Sequence, residues 1–401
     1  MNEPPEGEDP FRSSPEPRAT LGEVAGSYLR LGTTAFGGPA SHLAMMRSEL
    51  VRRRRWASEQ DLLDFIGAAS LLPGPTSTEV ALMLARRRRG WAGLVVGGTC
   101  FIVPSMLFVL ALSWAYVRYG ATDVGAGVLF GIKPVVVAII ASAVVGLART
   151  AVKHLALAVV GSACFVGYFL GASPLLILLG AAVVVTLFDN GRRLARAAPA
   201  GPASAVPILA TRLRLAGHVG AGPPRFARVS LAAVFLEFLK LGSIVFGSGY
   251  VLVSYLHSDL VRGNHWLTQS QLLATVAIGQ VTPGPVFTTA TSIGYVVGGL
   301  PGALLATLAI FLPSFVLAAA LMPLLARARR SPWSAAALDG VNVAAIALMT
   351  GVTVQLGRTS LVDWITALTG ACSLVLIMRW KVNATWLVLA GAGVGLLHVF
   401  A

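Results

Sequence analysis

The amino-acid sequence predicts an all-α polytopic membrane protein. It is expected to contain two inverted (antiparallel) repeats, each with about five transmembrane helices and one re-entrant helical hairpin with a Pro-Gly-Pro tip. Three observations lead to this fold class. Hydrophobic residues make up 56% of the 401 positions and charged residues only 12%, which is more apolar surface than a soluble domain buries. The two halves of the chain align with each other in register, and the positive charges that flank them are distributed oppositely.

Four segments follow one another along the chain. Residues 1–20 are acidic and rich in proline, which predicts a disordered N-terminal tail rather than a cleaved signal peptide. Residues 21–188 form the N-terminal membrane repeat and residues 229–401 the C-terminal one, because apolar runs of membrane-spanning length recur in both. Residues 189–228 are rich in Pro, Gly, Ala and Arg and are predicted to be a basic cytoplasmic linker.

The repeat is visible in the residues themselves. The stretch "LGTTAFGG" from Leu31 aligns without a gap with "LGSIVFGS" from Leu241, and the register holds as far as a Pro-Gly-Pro motif in each half. After one deletion near residues 86–89, "IVPS" aligns with "FLPS" and "GIKPVVVAII" aligns with "GVNVAAIALM". Chance does not maintain such a register, so the sequence indicates an internal duplication.

Positive charges predict how each hairpin enters the membrane. In the first half, the Pro-Gly-Pro motif lies between arginine runs at 52–55 and 86–89, and the positive-inside rule places both runs on the cytoplasmic side. The arms between them are too short to cross a hydrocarbon core of about 30 Å, so we expect the segment to enter and leave by one face. The second motif is flanked by few charges, as an external loop would be. An odd number of spans per half then makes the halves antiparallel.

The remaining charge and the cysteines exclude several classes of function. The formal net charge is +14, but the arginines cluster in short loops between apolar runs, where they set orientation, so no nucleic-acid partner is expected. The three cysteines stand singly in apolar segments, which supports no disulfide, metal or redox role. We therefore expect that the protein uses no cofactor and is not an enzyme.

Two helix breaks recur in each half. Backbone that is not helical at membrane depth must be buried in protein or line a cavity. A single Gly/Pro pair is typical of a packing kink, whereas four at equivalent positions favour one central site. The helix after each Pro-Gly-Pro motif presents backbone N–H groups, hydroxyls and a positive dipole end, which suit an oxyanion. The candidate residues at the breaks are Phe36, Gly37, Gly38, Pro73, Gly74, Pro75, Thr76, Ser77, Thr78, Gly247, Ser248, Pro283, Gly284, Pro285, Thr288 and Thr289.

Ionisable residues inside these segments are further candidates, because charges within a membrane are costly. Arg30 and Lys240 align just before the first break of each half, and Lys133, which aligns with Asn342, lies within a predicted span. Cations near the breaks favour an anion, although snorkelling to the interface is the alternative for Arg30 and Lys240. Glu79 has no acidic counterpart in the other half. It either carries a coupling proton or neutralises a lysine, and the sequence leaves both roles open.

The motifs FGGP, LLPGP, VPS and GIKPVVVA, each with a diverged second copy, resemble the chromate ion transporter family in its long, two-domain form. The resemblance extends from about Leu21 to the end of the chain. It implies a secondary transporter that exports chromate from the cytoplasm across the bacterial inner membrane and confers chromate resistance. By position, the family motifs fall on Phe36, Gly37, Gly38, Pro39, Pro73, Gly74, Pro75, Gly131, Lys133 and Pro134, and the second copy departs at Ser248, Gly249 and Asn342.

The energy source and the substrate stay open at this point. Membrane potential, ion coupling or both would drive export, and the absence of a nucleotide-binding motif from the sequence disfavours an ATP-driven pump. The alternatives are a sulfate or other oxyanion transporter and, in another class, a lipid-phosphate flippase with a cavity open to lipid. Intramembrane chromate reduction would need a flavin, a haem or a thiol pair. The expected partners are a chromate-like or sulfate-like oxyanion and the lipid bilayer, and a homodimer is compatible with the plan.

Overall fold

The computed structural model describes residues 19–36, 39–70, 72–197, 229–246, 249, 251–320 and 332–400. Most of the predicted tail and of the predicted linker lie outside these ranges, as do the site candidates Gly37, Gly38, Gly247 and Ser248. The described residues are α-helical with short π and 3-10 segments, and no β-strand is assigned within them. The all-α class predicted from the sequence is confirmed.

The helices of the first half are α1 (Leu21–Thr34), α2 (Pro39–Met46), α3 (Glu59–Ala69), α4 (Thr76–Tyr119), α5 (Asp123–Ala151), α6 (Leu155–Phe169) and α7 (Pro174–Ala197). A π-helical segment, Arg47–Arg53, continues α2. Helix α7 extends to Ala197, past the residue at which the linker was predicted to begin.

The helices of the second half are α8 (Leu231–Ile244), α9 (Val251–Leu256), α10 (Gln269–Val281), α11 (Thr289–Ala320), α12 (Pro332–Ser360), α13 (Trp364–Trp380) and α14 (Ala384–Phe400). A π-helical segment, His257–Gly263, continues α9, and a 3-10 turn, Val286–Thr288, precedes α11. The order of helices therefore repeats that of the first half.

Equivalent residues start equivalent helices. Ser58 caps α3, and its side chain and that of Asp61 form a reciprocal pair of hydrogen bonds with the backbone. Thr268 and Gln271, at the same positions of the second half, cap α10 in the same way. Such a capping box satisfies N–H groups that the first helical turn leaves free. The two short helices that lead into the Pro-Gly-Pro motifs thus begin for the same local reason.

The two halves also share their unusual backbone angles. Helices α4 and α11 are each interrupted at a glycine, Gly90 with φ of 60° and Gly299 with φ of 63°. Arg55 and His265 occupy the left-handed region with φ of 53° and 54°, which few residues other than glycine adopt. The duplication read from the sequence is therefore present in the backbone. Each interruption divides a long helix into a short arm after the Pro-Gly-Pro motif and a longer second part.

The halves pack into each other rather than side by side. Helix α5 packs on α13 and α14 of the second half, and its counterpart α12 packs on α6 and α7 of the first. The pairs α4 with α11 and α5 with α12 also contact each other. Lys153, just after the end of α5, pairs with Asp339 near the start of α12, with Nζ and Oδ1 2.7 Å apart. The equivalent helices α5 and α12 therefore run in opposite directions.

Four helical stretches among the described residues are long and apolar enough to cross a membrane: Thr76–Tyr119, Asp123–Ala151, Val286–Ala320 and Ala335–Ser360. They correspond in pairs through the repeat. Helices α6, α13 and α14 and the Pro174–Phe188 part of α7 are apolar but shorter. Large apolar side chains such as Leu107 and Trp114 are exposed on the outer surface, where lipid rather than water covers them. The chain is a multi-pass membrane protein.

Candidate functional site at the paired helix breaks

The two Pro-Gly-Pro motifs are each held by the other half of the chain. The backbone N–H of Gly74 donates a hydrogen bond to the carbonyl of Val245 at 2.7 Å, and the N–H of Gly284 donates one to the carbonyl of Ala35 at 2.8 Å. These two bonds are equivalent through the repeat. Because buried backbone groups need partners, each bond satisfies one donor and one acceptor that the helix breaks have freed.

The breaks at Ala35 and Val245 are equally alike. Each follows directly after a helix, and the backbone leaves the helical region with φ/ψ of −81°/82° at Ala35 and −80°/110° at Val245. The next residue on the second side, Phe246, forms an isolated antiparallel bridge with Pro73. The two pairs of breaks predicted from the sequence therefore lie together, as one non-helical region between the halves.

Glycine is required at both tips. Gly74 has φ of +137° and Gly284 has φ of +96°, values that side chains with a Cβ rarely adopt. There is also no room for a Cβ. A methyl group on Gly74 would lie 2.5 Å from Ser314 Oγ, and one on Gly284 would lie 2.7 Å from Ser105 Cβ. The serine of the Pro-Ser motif in each half thus packs against the tip glycine of the other.

At the second tip, hydroxyl side chains hydrogen-bond to one another and to backbone carbonyls. Ser105 Oγ lies 3.0 Å from Thr288 Oγ1, which also donates to the carbonyl of Pro285 at 2.7 Å. The hydroxyl of Thr289 donates to the carbonyl of Val286 at 2.8 Å. All three hydroxyl side chains are buried. The hydroxyls of all three residues at this tip are therefore hydrogen-bonded.

The first tip has the same backbone but different chemistry. Ser314 and Thr78, the counterparts of the hydrogen-bonded pair in the other half, are buried, and neither hydroxyl has a partner within the described residues. Glu79 is fully buried next to them, and neither of its carboxyl oxygens has a partner. Its Oε1 would lie 2.6 Å from a methyl group on Gly74. Polar atoms without partners are thus concentrated at one tip.

His42 connects the first break to the helix that follows the first tip. Its Nε2 lies 3.1 Å from the carbonyl of Ala35, and its Nδ1 lies 3.2 Å from Ser77 Oγ. Because a carbonyl only accepts, the neutral ring carries its hydrogen on Nε2 and accepts from the serine hydroxyl. The counterparts in the second half, Leu252 and Phe287, form no such link. No residue of the second half points to this role of His42, since only the first half contains the histidine.

The three predicted cations differ in whether acidic side chains neutralise their charge. The ammonium group of Lys240 lies 2.5 Å from Glu237 and 2.8 Å from Asp259, so two carboxylates already neutralise it. Its counterpart Arg30 is exposed. Lys133 is half-buried within α5 and has no hydrogen-bond or ion-pair partner in the described part of the chain. Of the three cations, Lys133 is the half-buried one that stays available for an anion.

A cavity of about 270 Å³ lies beside the second break. Phe246 of the break lines it together with Asn342 and the ion pair of Lys153 and Asp339. Asn342 is the counterpart of Lys133 in the repeat. Helix α12 packs on α9 next to this cavity, so Asn342 lies on the side of α12 that faces the second break.

A comparison with known families matches the chain twice. The model of the family described as "Chromate transporter" matches residues 22–186 and again residues 232–396. The chain belongs to the chromate transporter family. The two matches fall on the two halves described above and leave out the segment between them. The family resemblance recognised in the sequence is confirmed, and the double match supports the duplication.

Curated members of the family are similar over almost their whole length. The chromate transport protein of Cupriavidus metallidurans is 32% identical over 387 residues, which cover 94% of this chain and 92% of that protein. The probable chromate transport protein of Synechococcus elongatus is 31% identical over 379 residues, 92% of each chain. The chromate transport protein of Pseudomonas aeruginosa is 29% identical over 412 residues. No solved structure matches this chain.

Sequence reasoning found some of the residues at the breaks of this chromate transporter family member and missed others. The structure brings Gly74 and Thr78 together with Glu79, and all three were predicted. Ser105 and Ser314 were not predicted as site residues, although the Pro-Ser motif that both share was a visible signal. The Pro-Ser motif recurs in both halves, as the Pro-Gly-Pro motif does, and this recurrence is the signal in the sequence for the two serines.

Proposed function

We propose that the chain is a secondary transporter that exports chromate from the cytoplasm across the bacterial inner membrane and so confers chromate resistance. The observation that supports this most is the reciprocal pair of hydrogen bonds from Gly74 to Val245 and from Gly284 to Ala35. Unwound segments at the interface between two repeats are where many secondary transporters bind their ions and substrates. The names of the relatives from Cupriavidus metallidurans and Pseudomonas aeruginosa support chromate as the substrate.

The repeats are proposed to be inverted in the membrane. The opposite directions of the equivalent helices α5 and α12 support this, because two equivalent spans that run antiparallel belong to halves of opposite orientation. Helix α3 and the arm of α4 up to Gly90 would form the first re-entrant hairpin. Helix α10 and the arm of α11 up to Gly299 would form the second. In this arrangement the two Pro-Gly-Pro tips enter from opposite faces and meet at the centre.

The oxyanion is proposed to bind at the first tip and the adjacent break. The start of α4 supports this, because Pro75 precedes it and no side chain caps it, so its positive dipole end faces the break. The unpartnered hydroxyl of Thr78 offers a donor. Lys133, which is half-buried on α5 and has no ion-pair partner among the described residues, is proposed to supply a positive charge. Chromate and sulfate share their tetrahedral shape and charge, so sulfate is the expected competitor.

The membrane potential suffices as a driving force. Moving one charge through 100 mV is worth about 2.3 kcal/mol, so a dianion leaving a negative-inside cell gains about 4.6 kcal/mol. At about 1.4 kcal/mol for each factor of ten, this sustains a gradient of roughly a thousandfold. An oxyanion exporter of this kind has no need of nucleotide hydrolysis.

The test is uptake of radiolabelled chromate into inverted membrane vesicles with an imposed potential that is positive inside. We expect potential-dependent uptake that sulfate reduces and that Gly74→Ala abolishes. Gly146→Ala is the matched control, because a methyl group there meets nothing within 4 Å. Uptake of sulfate in preference to chromate would make the protein a sulfate transporter. Movement of a fluorescent lipid phosphate between leaflets without chromate uptake would favour the flippase and contradict the proposal.

A further inference from the structure

The two Pro-Gly-Pro tips differ in the polar side chains that surround them. The halves agree in backbone, in the reciprocal hydrogen bonds and in the contact between a tip glycine and a serine. They differ in the side chains that fill the space behind that serine. In the second half Ser105 and Thr288 are hydrogen-bonded to each other, whereas in the first half Ser314 and Thr78 are both without a partner. The residue next to the unpartnered threonine is Glu79.

The surroundings of Glu79 offer it no compensating charge. Of the described groups that face this part of α4, His42 of α2 and Tyr28 of α1 hydrogen-bond elsewhere on α4 and its neighbours. Asp61 of α3 pairs with Arg87, about two turns further along α4. Helices α10 and α11 carry no charged residue, and Lys133 of α5, a helix that also contacts α4, forms no hydrogen bond or ion pair with Glu79. A carboxylate that is fully buried without a cation or a hydrogen bond is strongly disfavoured.

We infer that Glu79, Thr78 and Ser314 form a proton-binding site that exists in one half only, and that its proton moves in exchange for the oxyanion. This rests on the proposed function of the chain as an oxyanion exporter. In the described conformation the proton resides on a carboxyl oxygen of Glu79, which makes the group neutral. When the proton leaves to the cytoplasm, a rearrangement of these side chains would bring the hydroxyls of Thr78 and Ser314, which have no partner in the described conformation, to the carboxylate. A proton needs no cavity, which suits the tight contact with Gly74.

Such a site explains why the carboxylate belongs to one half only. Carboxylates in both halves would place a negative charge at both tips, whereas a single one leaves the second tip neutral. In the exchange, the oxyanion leaves outward from the form in which Glu79 has released its proton and the hydroxyls of Thr78 and Ser314 screen the carboxylate. The empty site returns inward after a proton from outside has neutralised Glu79, so the two ions cross in opposite directions. Protonation and deprotonation of Glu79 would thereby couple the export of the oxyanion to the movement of protons.

The first experiment is independent of transport. In the purified full chain at neutral pH, infrared difference spectra are expected to contain a protonated-carboxyl band that Glu79→Gln removes and alkaline pH abolishes. The second experiment follows chromate and protons together in proteoliposomes. For an exchange of one proton for one oxyanion, the accumulation ratio of chromate should change about tenfold for each unit of imposed pH gradient, since that gradient carries about 1.4 kcal/mol. Glu79→Gln should remove this response while exchange of chromate for chromate continues.

Ser314→Ala and Ser105→Ala form the matched pair, because the two serines occupy equivalent positions. Ser314→Ala should weaken the pH response at least severalfold, and Ser105→Ala should leave the response in place even where the rate falls. A pH response that survives in Glu79→Gln, a dependence on Na⁺ instead of protons, or equal effects of the two serine variants would overturn the inference. A wild-type protein that has the carboxyl band but moves neither chromate nor sulfate would instead refute the proposed function and leave the proton site in place.

Discussion

Replacing Gly32 with alanine should push helices α1 and α4 apart. A Cβ at Gly32 would lie 2.6 Å from the carbonyl oxygen of Phe101 and 3.1 Å from that of Cys100. Ordinary contact begins at 3.4 Å, so the helices must separate by 3.4 − 2.6 = 0.8 Å. The atoms in the way are backbone and no rotamer change relieves them. Overpacking of this kind costs about 1 to 3 kcal/mol.

Gly26→Ala on the same helix is the matched control, because a methyl group there meets nothing within 4 Å. Both variants gain the same helix propensity, about 1 kcal/mol, so the difference between them isolates the overpacking. Unfolding measured by steric trapping in bicelles should therefore give Gly32→Ala a stability about 1 to 3 kcal/mol below that of Gly26→Ala. Gly242→Ala, at the equivalent position against Ile310, should behave like Gly32→Ala. Equal stabilities of Gly32→Ala and Gly26→Ala would refute the close approach of α1 and α4.

Three more predictions concern charge, topology and a helix end. Lys133→Ala should lose chromate resistance more severely than Lys133→Arg at equal expression, and full resistance in the alanine variant would contradict its role as the available cation. In a cysteine-free background, cysteines at Lys153 and Asp339 should cross-link with a short bifunctional reagent, whereas Lys153 with Arg358 at the far end of α12 should not; the reverse pattern would contradict antiparallel α5 and α12. Lys381 ends α13 with φ of 54°, so Lys381→Gly should raise stability by about 0.5 to 1 kcal/mol relative to Lys381→Ala, which thermal unfolding in detergent can check.

The parts of the fold that the sequence predicted depend on local signals. The tips at Gly74 and Gly284 need a backbone conformation that glycine adopts readily, and the prolines around them stop a helix. Both effects act within a few residues, so a motif is enough to reveal them. The same holds for the duplication, which a gapless alignment makes visible. The end of α7 is harder to predict, because the helix continues to Ala197 through Asn190 and Gly191, which both favour a helix end.

The contacts between the halves could not be predicted in the same way. No local pattern shows that the carbonyl of Ala35 accepts a hydrogen bond from the N–H of Gly284, since more than two hundred positions separate them along the chain. For Lys240 the sequence shows one of its two partners, since Glu237 lies three residues earlier on the same helix, whereas Asp259 belongs to another helical segment. His42 gave no signal for a different reason. Its partners are a backbone carbonyl and a serine that lie close only once the first break has formed.

The central claim is that the oxyanion binds where the broken helices of the two halves meet. Chromium scatters anomalously, so crystals of the protein grown with chromate can locate the ion without reference to the protein density. We expect one anomalous peak next to the start of α4, within reach of Thr78 and of the break after Ala35. A peak confined to the cavity lined by Lys153 and Asp339, or at the exposed arginine runs, would contradict it.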